Sequence, residues 1–156
     1  MIIVVKLFKQ NHVQYGLLLS GVTAICLTLM TVGGTGFGAK SLFQQFFMIL
    51  MPFIILYLGI HAKKREGRKH FFSYKNGLAE GMKISAVHAV VSPLVFWVFY
   101  VLINPSLLDY VRGSYRLGNI SNSAIISVDM SAQFVGALLV GLIYSAIIAY
   151  FVRSKK

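Results

Sequence analysis

Apolar residues run along this chain in four long blocks instead of alternating with polar ones. Tyr15–Val32 contains no charged residue and ends at Gly33-Gly34. Leu42–Ile60 is also uncharged. Ile84–Ile103 lies between Lys83 and Asn104-Pro105, and Ser131–Val152 between Asp129 and Arg153. A helix needs about 20 mainly apolar residues to cross a hydrocarbon layer of roughly 30 Å, and each block has that reach. The pattern predicts an all-α integral membrane protein: a single domain over residues 1–156, built as a four-helix transmembrane bundle. A basic loop over residues 61–83 and an outer loop over 104–129 join the later spans. Lys6 and Lys9 ahead of the first block raise the alternative of a signal peptide. The apolar stretch is longer than a signal core and no A-x-A site follows, so the block is read as a retained span. Pro52 raises a re-entrant alternative for the second block, whose length suits a full crossing.

Composition supports the pattern. Charged residues make up 12% of the chain, hydrophobic residues 57%, and mean hydropathy is +0.74. A soluble domain carries about 25% charged residues, so the numbers exclude an ordinary soluble fold and exclude intrinsic disorder. One cysteine, Cys26, leaves no internal disulfide and no thiolate zinc site. The net charge of +11 would point to nucleic acid in a soluble protein. Here the basic residues lie between apolar blocks, so they report topology, and no nucleic-acid partner is expected. Twelve Lys and Arg fall before the first block, in loop 61–83 and after the fourth block, against three in the other loops. The positive-inside rule then places both termini and the middle loop in the cytoplasm of a cell with an inner membrane.

Helices in lipid have little hydrophobic force between them and approach closely through small residues. Gly16, Ser20, Ala24 and Thr28 recur every fourth position in the first block. Gly77, Gly81, Ser85 and Ala89 do so in and before the third, and Ala137, Gly141, Ser145 and Ala149 in the fourth. Such stripes serve either a homodimer seam or packing within one chain. Pro52 and Pro93 fall near the middle of their spans, each freeing the carbonyl four residues earlier, Met48 and Ala89. They are read as hinges or as static bends.

The loops hold decoys as well as signals. Gly34–Ala39 fits G-x-G-x-x-A, and its continuation to Lys40-Ser41 is one residue from a P-loop. Both motifs need a buried strand before them, so the stretch is read as a tight turn between membrane helices. Phe71, Tyr74, Leu78 and Met82 form one apolar stripe, which fits an interfacial helix or an extension of the third span. Lys63, Lys64, Arg65, Arg68 and Lys69 are placed to meet anionic headgroups of the inner leaflet. Pro105 is suited to open a short helix toward Arg112, and Ser127 or Asp129 to cap the fourth span.

No Asp, Glu, Lys or Arg falls inside a predicted span, where pumps and ion-coupled carriers usually keep one. His88 and Tyr144 form a candidate polar or pH-sensitive pair, with Gln44, Gln45 and Gln133 nearer the outer side. No catalytic triad assembles, and the histidines are too scattered for a metal site. The centre, near Ala24, Pro52, Pro93 and Gly141, is expected to be dry and to separate His88 from Gln133.

Phe72-Ser73-Tyr74-Lys75-Asn76-Gly77 leads into the third span, and Phe99-Tyr100 precedes Ile103-Asn104-Pro105-Ser106-Leu107-Leu108. With the glycine-rich last span, Gly136–Lys156, these stretches resemble a family of bacterial membrane proteins, domain of unknown function 4199. The resemblance implies a small four-helix inner-membrane protein and carries no activity, cofactor or catalytic residue. The residues themselves favour a non-enzymatic accessory or scaffold protein that acts by helix association, with a membrane-protein partner or as a homo-oligomer. A small-solute transporter or channel subunit is the alternative, and the two part on whether a polar cavity joins His88 to Gln133.

Overall fold

The computed structural model describes residues 10–32, 42–66, 72–114 and 120–154. The glycine-rich turn 33–41, with its nucleotide-loop decoys, lies outside the described residues, as do Arg68, Lys69 and Phe71. The side chains of Gln44 and Gln45 also lie outside them.

Every regular element among the described residues is helical. Helix α1 is Asn11–Val32, α2 is Leu42–Glu66, and α3 is Tyr74–Val98. A π-helical turn, Phe99–Ile103, continues α3. A short helix α4, Leu107–Ser114, and the long α5, Asn122–Val152, complete the order. Among the described residues three stretches are long and apolar enough to cross a membrane: Asn11–Leu29, Tyr74–Ile103 and Asn122–Val152. Helix α2 is not among the three, and its last turn carries Lys63, Lys64 and Arg65.

Helix boundaries correct the expected spans. Residues 74–83 belong to α3 without a break, so the stripe through Tyr74, Leu78 and Met82 extends the third span and forms no separate helix. Ser73 opens α3 as its N-cap and accepts from Asn76 N at 3.2 Å. The fourth long helix starts at Asn122, capped by the Ser121 hydroxyl, which accepts from Ala124 N. Ser127 and Asp129 therefore lie inside α5 and cap nothing. Ser127 donates back to Ser123 O, and Asp129 is buried. At 31 residues α5 is about 46 Å long, more than a hydrocarbon layer needs.

Helices α3 and α5 make the most extensive packing in the molecule. A β-carbon added at Gly81 would collide with Ser145, one at Gly141 with Ser85, and one at Gly77 with Ala149. Each step of four residues along α3 is matched by four back along α5, so the helices are antiparallel and in register. Helix α1 runs parallel to α3, with Asn11 at Glu80, Gly16 at Val87 and Ser20 at His88. Helix α2 closes the other side, with Gly59 against Ile84 and Phe53 against Tyr144. Gly16 and Ser20 of the α1 stripe, and Gly77, Gly81, Ser85, Gly141, Ser145 and Ala149 of the α3 and α5 stripes, are thus occupied within one chain.

Two apolar clusters hold the ends. Leu56, Ile60, Phe72, Ile84, Ile148 and Val152 gather at the end that carries the basic residues. There Lys64 Nζ donates to Val152 O at 2.7 Å, placing a cation at the negative end of α5. At the opposite end Leu27, Phe96, Phe99, Tyr100 and Ile125 pack under Leu107, Leu108 and Val111 of α4. The short helix expected after Asn104-Pro105 is present and starts at Leu107, with a half-buried Arg112 that donates to Ile120 O and Asn122 Oδ1 at 3.0 and 2.9 Å.

Candidate functional site

Between the two end clusters the long helices do not close on one another. Helix α3 presents Ser85 and Ser92 there, α5 presents Gly136, Ala137 and Gly141, and α2 presents the Pro52 ring. These short side chains leave a cavity of about 280 Å³, walled by α1, α2, α3 and α5. Its size is set by what is missing from α5: a β-carbon added at Gly136 would meet nothing within 4 Å. An apolar cavity of about 150 Å³ is enough for benzene.

His88 and Gln133 both line this cavity. Of the residues expected to stand between them, Pro52 and Gly141 line the same space, so no side chain of these two divides it. Most of the wall is apolar, with Leu19, Val22, Phe96 and Val140 among its members. Ligand pockets generally combine such walls with a few convergent polar groups. Here those groups are His88, Ser92 and Gln133. Ser92 is 2% exposed yet borders the cavity, and among the described residues its hydroxyl has no hydrogen-bond partner. The Gln133 amide and Nε2 of His88 likewise have none among the described residues. Thr23 also borders the space, but its hydroxyl donates to Leu19 O at 3.1 Å.

His88 and Tyr144 are not a pair. His88 Nδ1 lies 2.9 Å from Ser20 Oγ, on the side of α3 that faces α1. Tyr144 faces α2, where its hydroxyl donates to Ile49 O at 3.2 Å and its ring meets Phe53 edge-on at 5.6 Å. The two positions lie on different helix interfaces. The packing candidates Gly77, Gly81, Ser85, Gly141 and Ser145 lie together along the α3–α5 seam, and Ala24 packs against the cluster at the far end. Among the headgroup candidates, Lys63 meets Glu66 at 2.9 Å, which raises its pKa above the ordinary lysine value. Lys64 holds the end of α5, and Arg65 is exposed.

Two buried carboxylates were not expected at depth. Glu80 is 4% exposed, and its Oε1 accepts from Asn11 Nδ2 at 2.8 Å, with His12 Nδ1 at 3.8 Å. The same Asn11 amide donates to Gly59 O at 2.9 Å, linking α1, α2 and α3. At the opposite end Tyr100 donates to the buried carboxylate of Asp129. A signal for Glu80 existed: only four acidic residues occur in the chain, and this one interrupts the stripe between Gly77 and Gly81. Neither carboxylate lines the cavity. Among the described residues no three His, Cys, Asp or Glu side chains stand close enough to hold a metal ion.

No curated protein and no solved structure matches this chain. Residues 14–154 match the family described as protein of unknown function DUF4199. The match takes in all four cavity walls, the α3–α5 seam and the motifs around Ser73 and Asn104, and the chain belongs to that family.

Proposed function

We propose that the protein is a non-enzymatic, multi-pass protein of a bacterial cytoplasmic membrane whose four-helix bundle holds a small solute, as a carrier or as a subunit of a channel or transporter. The observation that carries this reading is the cavity at mid-bundle, which reaches from His88 to Gln133 and is walled by all four long helices. Solute sites of carriers lie near the bilayer midplane between helices, where polar groups replace lost hydration. Helix α2 is the fourth span in this reading, both termini are cytoplasmic, and the basic end, with Lys63, Lys64, Arg65, Arg68 and Lys69, rests on anionic headgroups. An accessory role through helix association loses support, since Gly16, Gly77, Gly81 and Gly141 meet neighbours in the same chain.

The test is native mass spectrometry of protein extracted in mild detergent. A small molecule bound to the wild type and lost from a folded Gly136→Phe variant is expected. An empty wild type carrying a stoichiometric protein partner would restore the accessory reading. Reporter fusions after residues 36, 66, 118 and 156 are expected to read out, in, out, in, and an outward C-terminal signal would break the four-span topology.

A further inference from the structure

The hydrogen bonds around His88 define what the cavity can accept, and this inference rests on the solute-binding reading above. The Ser20 hydroxyl has a single hydrogen. Its oxygen lies 3.1 Å from Gly16 O, four residues back, and 2.9 Å from His88 Nδ1. Hydroxyls within membrane helices commonly donate to the carbonyl four residues earlier. On the same helix Thr23, Thr28 and Thr31 all do so, at 3.1, 2.9 and 2.9 Å. A Ser20 hydrogen spent in that way leaves the lone pairs of its oxygen to accept from His88, which requires the imidazole proton on Nδ1. An imidazole protonated at Nδ1 presents Nε2 as an acceptor. No other group among the described residues donates to that nitrogen, and His88 borders the cavity.

Charge and size narrow the ligand further. Among the described residues no Asp, Glu, Lys or Arg borders the cavity, so an ion there would lack a counter-charge at membrane depth. A volume of 280 Å³ corresponds to roughly ten non-hydrogen atoms, scaled from benzene in about 150 Å³. We propose that the cavity binds a small uncharged molecule, largely hydrocarbon, whose hydroxyl or N–H group donates a hydrogen bond to His88 Nε2. The Ser92 hydroxyl and the Gln133 amide, both without partners among the described residues, are available to the acceptor side of the same molecule.

Two measurements on the full chain in lipid nanodiscs test this. The first is ¹⁵N NMR of histidine-labelled protein, in which His88→Gln identifies the His88 signals among four histidines. A proton on Nδ1 and a bare Nε2 are expected, and a proton on Nε2 overturns the proposal. The second uses Cys26, which borders the cavity and is the one cysteine in the chain. Benzyl alcohol and anisole are isomers of equal atom count, and only the alcohol donates. The alcohol is expected to slow alkylation of Cys26 by N-ethylmaleimide at about one-tenth of the bilayer concentration that anisole needs. His88→Phe is expected to erase that preference. Equal protection by both isomers, abolished by Gly136→Phe, would leave the cavity as a binding site and overturn the donor rule. Protection by neither would overturn both readings. Should the Cys26 thiol resist alkylation throughout, the shift in thermal midpoint caused by each isomer supplies the same ranking and is judged in the same way.

Discussion

Gly136 and Gly141 stand on one helix, five residues apart, in opposite circumstances. Gly141 is buried in the α3–α5 seam, where a β-carbon would collide with Ser85. Gly136 borders the cavity, where a β-carbon would meet nothing. Along the seam, absent side chains let two backbones approach, and dispersion contacts fill the gap. At Gly136 the opposing surface has moved away, and the same absence becomes volume. A small residue therefore closes a membrane protein or opens it, according to what stands across from it. The seam acts as the frame, and the cavity lies where Gly136, Ala137, Ser85 and Ser92 of that frame meet α1 and α2 with short side chains.

The largest effect is expected where the frame is closed. Gly141→Leu inserts four carbons into the space held by Ser85, so α3 and α5 must separate along their register. Overpacking of this kind costs about 1–3 kcal/mol, and this site lies toward the upper end because its obstacle includes the Ser85 β-carbon as well as its hydroxyl. A marked fall in thermal midpoint in detergent is expected, while Leu138→Met, three residues away, leaves it nearly unchanged. Equal tolerance at both positions would mean that the seam is not the frame.

A smaller loss is expected at the far end, whose cluster shares Phe96 with the cavity wall. Phe99 and Tyr100 are adjacent in sequence and both buried, an arrangement reached through the π-helical turn in which Asn104 N bonds to Phe99 O at 2.8 Å. Tyr100→Phe keeps the ring in its cluster and removes a donor from the buried Asp129 carboxylate. The cost is about 1–3 kcal/mol, read as a lower thermal midpoint. Cys26 alkylation should quicken in the same variant if this end limits access to the cavity. An unchanged rate would place the entrance elsewhere.

The frame was legible in the sequence and the cavity was not. Small residues every fourth position are a periodic signal, and periodicity survives without knowledge of the partner surface. The register Gly77–Ala149, Gly81–Ser145, Ser85–Gly141 is what that signal becomes in three dimensions. The cavity depends instead on which helices fail to meet, a property of four elements at once. His88 stood out as polar at depth, but its partner, Ser20, belonged to a stripe read only as packing. Glu80 and Asp129 were set outside the spans because hydropathy marks the apolar core of a helix. The helices themselves continue to Tyr74 and Asn122, where capping serines start them.

The smallest effect, and the one that separates the two glycines most cleanly, is expected from alanine. Gly136→Ala adds one methyl group that meets no atom within 4 Å, and it removes a glycine from a helix interior. In water that exchange stabilises a helix by up to about 1 kcal/mol. Part of the gain is lost here, because a detergent-unfolded chain keeps much of its helix and so has less backbone freedom to surrender. The expected change in thermal midpoint therefore lies between zero and a slight rise. Gly81→Ala makes the same chemical change where the new carbon would overlap Ser145. Ser145 is fully buried, so moving it aside displaces packed neighbours, and its hydroxyl has no partner among the described residues. Gly81→Ala should lower the midpoint, and the double variant Gly81→Ala with Ser145→Ala should recover only part of the loss, since it removes an unpaired hydroxyl but leaves the β-carbon of residue 145 at 2.6 Å from the new one. A matching fall at Gly136 would mean that the cavity closes in the membrane, and with it the distinction on which the binding site rests.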